Sequence, residues 1–259
     1  MKILGRSILL KEIPSKIIDF LKMMYWAFVK FRNPMVLINS YLSQTIPKEG
    51  KFILRNGTNL FLSKNNHDSI TVMVIFCRKE YGLIKSGSIV VDIGANIGMF
   101  SLYAANSGAK KVFAYEPNIE AFKILCKNIK ENKMQDIIIP FNLGVSDIDN
   151  KIVYIPKESS PYNKASHSPN SNQYVEVKTI SLNTIANNVV EDKINFCKID
   201  CEGAEYEILY AAAKDTFANI ELIRMENHKE SEKKNLIKHL DQHGFKLVYE
   251  HNLILWFKK

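Results

Sequence analysis

The sequence predicts an α/β fold: a doubly wound, mostly parallel sheet with helices on both faces. Three observations carry that expectation. From residue 86 onward, short apolar runs alternate with segments of helical periodicity. A glycine turn, Asp92-Ile-Gly94-Ala-Asn96-Ile-Gly98, separates the first of those runs from the helix that follows. The next run, "KVFAYE", ends on the acidic Glu116, 18 residues beyond Gly98. A chain of 259 residues, 46% of them hydrophobic, is long enough for one large domain of this kind and a small appendage.

The appendage is residues 1–50, an N-terminal helical extension preceding a domain at 51–259. Between Pro14 and Phe31, apolar residues fall at Ile17, Ile18, Leu21, Met24, Tyr25, Phe28 and Val29, the spacing of one helix face. The stripe is expected to pack on the main domain; a basic helix lying on a membrane surface is the alternative, with Lys16, Lys22 and Lys30 off the stripe. Arg6 interrupts the first apolar run, so no signal peptide is expected. "KFILRNGTNLFLSK" reads as a hairpin turning at Asn56-Gly57. After the glycine turn, the helix "NIEAFKILCKNIKENK" is capped by Asn118. "DIIIPFNLG", "INFCKID" and "IELIRMENH" read as strands, with helices at "AEYEILYAAA" and at "SEKKNLIKHLDQHG", which stops at Gly244. "FKLVYEHNLILWFKK" closes the chain as a hairpin whose last strand runs antiparallel to the others. The polar stretch 156–173 separates two further strands and reads as a lid, a recognition loop or surface slack. Cys77, Cys126, Cys197 and Cys201 show no CxxC spacing and are expected to be free thiols in a reducing, cytoplasmic setting.

Ligands of doubly wound sheets sit beyond the carboxyl ends of the strands, where the strand order reverses. The turn at 92–98 has neither the G-x-G-x-x-G of a dinucleotide site nor the lysine of a P-loop. A carboxylate at the strand tip repels a pyrophosphate and suits a donor with an ammonium and a sulfonium, which describes S-adenosyl-L-methionine. Asp92, Gly94, Asn96 and Gly98 are therefore read as binding residues. Glu116 is placed for the ribose hydroxyls, with Pro117 and Asn118 beside it. Asn142 and Gly144 are assigned to the adenine end. Tyr81 is read as core packing, with a cover over the cofactor as the alternative.

The segments "VVDIGANIGMFSLYAA", "VFAYEPN" and "KIDCEGAEYEIL" together resemble the FkbM family of S-adenosylmethionine-dependent methyltransferases, from about Lys79 to about His228. The resemblance implies a class I methyltransferase Rossmann-like fold, mostly O-methylation, and acceptors ranging over sugars and natural products. Asp200, at the end of a strand beside that of Asp92, is the expected base or ligand of the donor's amine. Glu202 is expected to position the acceptor or share the base role, capping of the next helix being its alternative. Glu205 and Glu207 are expected in solvent. His228 is a second candidate base, a structural role staying open. Asp200, Glu202, Glu226 and His228 could also ligate a divalent metal, though no local motif demands one and none is assigned. His167 lies in the polar loop.

The acceptor is expected to be a saccharide or other small molecule. The net charge of +8 is compatible with anionic partners, so RNA stays as an alternative acceptor. An amine acceptor and a non-catalytic nucleoside-binding module are the other two.

Overall fold

The computed structural model describes residues 2–3, 6–7, 13–157, 174–188 and 193–259. His167 and most of the expected lid fall outside them. The chain divides into two compact units, Met1–Glu80 and Tyr81–Lys259.

The first unit contains β1 (Lys2–Ile3), β2 (Arg6–Ser7), α1 (Ile13–Lys30), α2 (Pro34–Ser43), β3 (Lys51–Ile53), β4 (Asn59–Phe61) and α3 (Asp68–Val72). A π-helical turn, Met73–Arg78, continues α3 and ends at Lys79, whose φ is +57°. The expected hairpin is present, with β3 antiparallel to β4 and Gly57 at φ +96° in its turn. The first compact unit reaches residue 80 for a physical reason. The hairpin is laced to the end of α1 by Arg32 N–H to the Ile53 carbonyl (2.9 Å) and Arg55 N–H to the Lys30 carbonyl (2.8 Å). Phe31 then packs edge-on against both Phe52 and Phe76.

α1 corrects an expectation. Met23, Ala27 and Phe31 turn inward at i, i+4, i+8 and are at most 3% exposed. The predicted stripe faces outward: Ile17, Ile18, Leu21, Tyr25, Phe28 and Val29 are all exposed. Apolar residues occupy both faces of this helix, so periodicity alone could not tell the buried side from the other.

The second unit contains β5 (Ile89–Ile93), α4 (Met99–Asn106), β6 (Lys111–Tyr115), α5 (Ile119–Glu131), β7 (Ile138–Phe141), β8 (Gly144–Ser146), β9 (Ile152–Pro156) and β10 (Tyr174–Ser181). Then come α6 (Leu182–Asn188), β11 (Phe196–Ile199), α7 (Glu205–Tyr210), α8 (Lys214–Ala218), β12 (Leu222–Glu226), α9 (Lys233–Gln242), β13 (Lys246–His251) and β14 (Ile254–Lys258). Seven strands form one sheet in the order β13-β14-β12-β11-β5-β6-β7. β5, β6, β7, β11 and β12 are mutually parallel, and β14 runs antiparallel to β12 and β13. β8, β10 and β9 make a second, small sheet.

Every residue of β5 and β11 is buried, as the apolar runs of central parallel strands require. The helices bury their apolar stripes against the sheet, α9 beside β13 through Leu236 and Leu240 and α5 beside β7 through Leu125 and Ile129. Asn118 caps α5 as expected: its Oδ1 accepts the N–H groups of Glu120 and Ala121, both at 3.0 Å, an arrangement worth about 1 kcal/mol. β5 lies at the reversal of strand order, with β6 on one side and β11 on the other. Its carboxyl end, and those of β11 and β12, are therefore where a ligand of this fold is placed.

Candidate active site

The glycine turn is held from three directions. Gly94 and Ala95 donate their N–H groups to the Tyr115 carbonyl, each at 3.0 Å. Asp200 N–H, at the tip of β11, reaches the Ile93 carbonyl at 3.1 Å. From beneath, Lys198 Nζ donates to the Gly94 carbonyl at 2.7 Å. These contacts leave no space for a side chain at Gly94: a Cβ there, at φ +74°, lies 1.8 Å from the Asp200 carbonyl oxygen. Gly98, at φ +88°, starts α4 with Leu125 pressed against its α-carbon; a Cβ meets Leu125 Cδ1 at 2.5 Å. Asn96 adopts φ +50°, a conformation that asparagine tolerates better than most residues.

Asp92 does not present an open carboxylate. It is fully buried, accepts the Ser101 hydroxyl at 2.6 Å, and lies opposite Lys198 in the β5–β11 register. Lys198 Nζ is 3.2 Å from Asp92 Oδ1 and 3.6 Å from Asp200 Oδ2. Oδ1 has no hydrogen-bond donor, so the Asp92–Lys198 attraction is Coulombic. Burial alone lowers the affinity of Lys198 for its proton, but the charges of Asp92 and Asp200 outweigh it and raise the pKa. The ammonium is thus permanent, and it neutralises Asp92 beneath the turn. Asp92 supports the turn from below.

Glu116 is the hub of the β6 end. Its two oxygens accept Asn96 N–H and Asn118 N–H, each at 2.7 Å. Burial pushes its pKa up to about 7, against the lowering effect of those two hydrogen bonds. Each carboxylate oxygen keeps a second lone pair for a ribose hydroxyl.

The neighbouring residues are also engaged within the fold. The Asn118 side chain is engaged at both ends, capping α5 and donating from Nδ2 to the Pro156 carbonyl (2.8 Å). Asn142 donates its amide to the carbonyls of Glu116 (2.8 Å) and Pro117 (3.0 Å), which latches the β6 end. Gly144 starts β8 and pairs with Thr179, so it belongs to the small sheet.

Beyond β11 and β12 lies a cluster of charge. Glu202 follows Asp200 at φ +58°, an unusual conformation for a carboxylate side chain, and Gly203 continues the turn at φ +116°. His228 Nε2 faces Glu202 Oε2 at 3.5 Å and Glu226 Oε1 at 4.0 Å. Its Nδ1 is 2.8 Å from Glu205 Oε1, an oxygen that also accepts Cys201 N–H at 3.0 Å. Glu205, expected in solvent, is completely buried, because this pair of contacts fixes the start of α7 to the segment after β12. Glu207 accepts the Ser146 hydroxyl at 2.9 Å. Burial alone lowers the His228 pKa, but Glu205, Glu202 and Glu226 together raise it to about 9. When protonated, the ring is an imidazolium that gathers three carboxylates. The Tyr206 hydroxyl, between Asn227 Oδ1 and the Lys229 carbonyl (2.8 Å), holds this segment in place.

Asp200, Glu226 and His228 can bring one ligand atom each within 4.8 Å of one another, so they could hold a divalent cation once the ring gave up its proton.

Two further participants contact Asp200. Tyr81 is buried against Phe100, as expected of core packing, but its hydroxyl also donates to Asp200 Oδ2 at 2.8 Å. Lys198 gave a signal in principle: a lysine inside the apolar run "INFCKID" needs a buried anion.

The Methyltransferase FkbM domain profile matches residues 92–247. The chain belongs to the FkbM family. That match lies within the second unit and covers the turn, Glu116, Asp200 and His228 alike. Among curated proteins, this FkbM chain is 25% identical over 154 residues to the hexuronic acid methyltransferase AglP of Haloferax volcanii, covering 60% of this chain and 62% of that one. It is 26% identical over 132 residues to a ribosomal protein L11 methyltransferase of Desulforamulus reducens, covering 49% and 42%. The FkbM chain thus spans less than two thirds of either relative. The crystal structure of the methyltransferase FkbM from Methylobacillus flagellatus KT superposes with a TM-score of 0.51 at 13% identity, over 95% of this chain and 60% of that one. The expected class I methyltransferase fold is confirmed by that likeness.

Proposed function

We propose that this FkbM-family chain is a methyltransferase that uses S-adenosyl-L-methionine and modifies a hydroxyl of a saccharide or other small acceptor. One observation carries the reading: the cluster of three carboxylates and an imidazole, Asp200, Glu202, Glu226 and His228, begins directly against the glycine turn, since the Asp200 carbonyl occupies the place of a Gly94 side chain. The likeness to a hexuronic acid methyltransferase supports a sugar-type acceptor.

The residues fit the donor at both ends. Glu116 offers acceptors to the ribose, and Asp200, which is partly exposed where Asp92 is sealed, offers negative charge at the methionyl end. When bound, the donor supplies a methyl group already activated on sulfur. The chain's own task is then to orient the acceptor and take its proton. Tyr81 and Lys198 both contact Oδ2 of Asp200, so Oδ1 is the oxygen on which an acceptor hydroxyl can be set. Glu202 and Glu226, gathered by the His228 imidazolium, can hydrogen-bond neighbouring hydroxyls and fix the angle of approach. Asp200→Asn, measured at saturating donor, should lower turnover about 10²- to 10⁴-fold. Unchanged turnover would remove Asp200 from the role of base.

Glu116 yields a pH prediction. Two ribose hydroxyls donate to its ionised form, and with a pKa of about 7 that form is scarce at pH 6 and dominant at pH 8. Affinity for S-adenosylhomocysteine should therefore rise across this interval, and Glu116→Gln should flatten the profile. A flat wild-type titration would exclude this contact.

The RNA reading loses its motivation in this unit. Residues 81–259 hold 22 Lys/Arg against 22 Asp/Glu, so the part that carries the site has no basic excess.

A further inference from the structure

The whole net charge of the chain resides in its first unit. Residues 1–80 hold 13 Lys/Arg against 5 Asp/Glu, which is the entire excess of +8. The same unit carries an unusual apolar surface. Ile17, Ile18, Phe20, Leu21, Tyr25, Phe28 and Val29 of α1 are between 39% and 63% exposed, and Met35, Val36 and Leu42 of α2 are also exposed. Large apolar side chains scattered singly need no explanation, but ten of them on two consecutive helices do.

We propose that α1 and α2 dock in the plane of an anionic lipid membrane, with the apolar face among the acyl chains and the basic side chains of the unit at the headgroups. The combination of an exposed apolar face with a basic excess is specific to such a surface. The α1 face is broad and rich in aromatic and branched residues, as in helices that lie in an interface. Among the described helices none is long and apolar enough to span a bilayer, so the mode is peripheral. Lys22 flanks the face with its side chain 69% exposed, and Arg32 and Arg55 lie exposed beyond the end of α1. A second copy of the chain is a poorer occupant, because pairing this face on itself brings two units of the same net charge together. A nucleic acid would use the charge but leave the apolar face in water. The proposal is independent of the reaction proposed above, since every residue it uses lies outside residues 92–247.

Co-sedimentation of the full chain with vesicles tests it, using phosphatidylcholine alone and phosphatidylcholine with roughly 30% phosphatidylglycerol. The chain should bind the anionic vesicles at least about tenfold more tightly than the neutral ones, and about 0.5 M NaCl should release much of it. Ile18→Glu/Leu21→Glu/Phe28→Glu should abolish binding with an unchanged circular dichroism spectrum. The milder Leu21→Ser/Phe28→Ser variant should weaken it about tenfold in case the triple variant fails to fold. The proposal is overturned if the wild-type chain stays in the supernatant. It is equally overturned if both folded variants bind like wild type, if sedimentation velocity shows a wild-type dimer that they dissociate, or if the unit retains RNA but no vesicles.

Discussion

Gly94→Ala should be the most damaging single-methyl change in the chain. Its Cβ would sit 1.8 Å from the carbonyl oxygen of Asp200 and 2.8 Å from the carbonyl carbon, both backbone atoms that no side-chain rotation can move aside. The φ of +74° adds the ordinary strain of a left-handed alanine. Relief requires the β5 and β11 ends to separate, which breaks the Asp200 N–H to Ile93 carbonyl bond and displaces Lys198 from the Gly94 carbonyl. A loss of at least about 3 kcal/mol is expected, with donor affinity reduced below detection by calorimetry. Wild-type melting and wild-type affinity together would show that the two strand ends do not meet at this position. Gly50→Ala is the control: it too has a positive φ, but a Cβ there meets nothing within 4 Å, so only the modest strain remains.

Lys198→Met should come next, through charge. The substitution preserves length and removes the ammonium, leaving Asp92 fully buried with only the Ser101 hydroxyl and no counter-charge. Removing one partner of a buried ion pair costs about 3–5 kcal/mol, which for a domain of this size is roughly a 10 °C fall in Tm. The diagnostic result is the rescue. Adding Asp92→Asn removes the orphaned charge, so the double variant should be more stable than Lys198→Met alone. A double variant at the sum of the two single losses would mean that the residues act independently. Because Lys198 also lies 3.6 Å from Asp200, the double variant should regain stability without regaining full turnover.

Much of the second unit was legible in the sequence because its signals are local. The alternation of apolar strands with helices, the Asn118 cap, the stop at Gly244 and the closing hairpin each depend on residues a few positions apart. Within the site, Gly94, Gly98 and Glu116 were found because a turn that needs positive φ and a strand that ends on an acid leave marks in a short window. What failed had a common cause. Glu205 was assigned to solvent from its place on a helix, whereas its burial comes from His228, 23 residues further on. That Asn142 latches the β6 end and that Gly144 begins another sheet likewise depends on distant segments.

Asp92 shows the division most clearly. By itself the sequence determined that a carboxylate ends the first strand, that a glycine turn follows and that the family is FkbM, since each of these is written in consecutive residues. Only the tertiary structure decided where the charge goes. The β5–β11 register sets Lys198 opposite Asp92 from 106 positions away, and α1 likewise buries Met23 and Ala27, with Phe31 just beyond its end, while leaving its more obvious stripe outside. Helical periodicity records that a face is apolar, and strand position records that a side chain is near an end. Which partner meets that face or that end is fixed by contacts between segments far apart in the chain, and a window of neighbouring residues holds no trace of them.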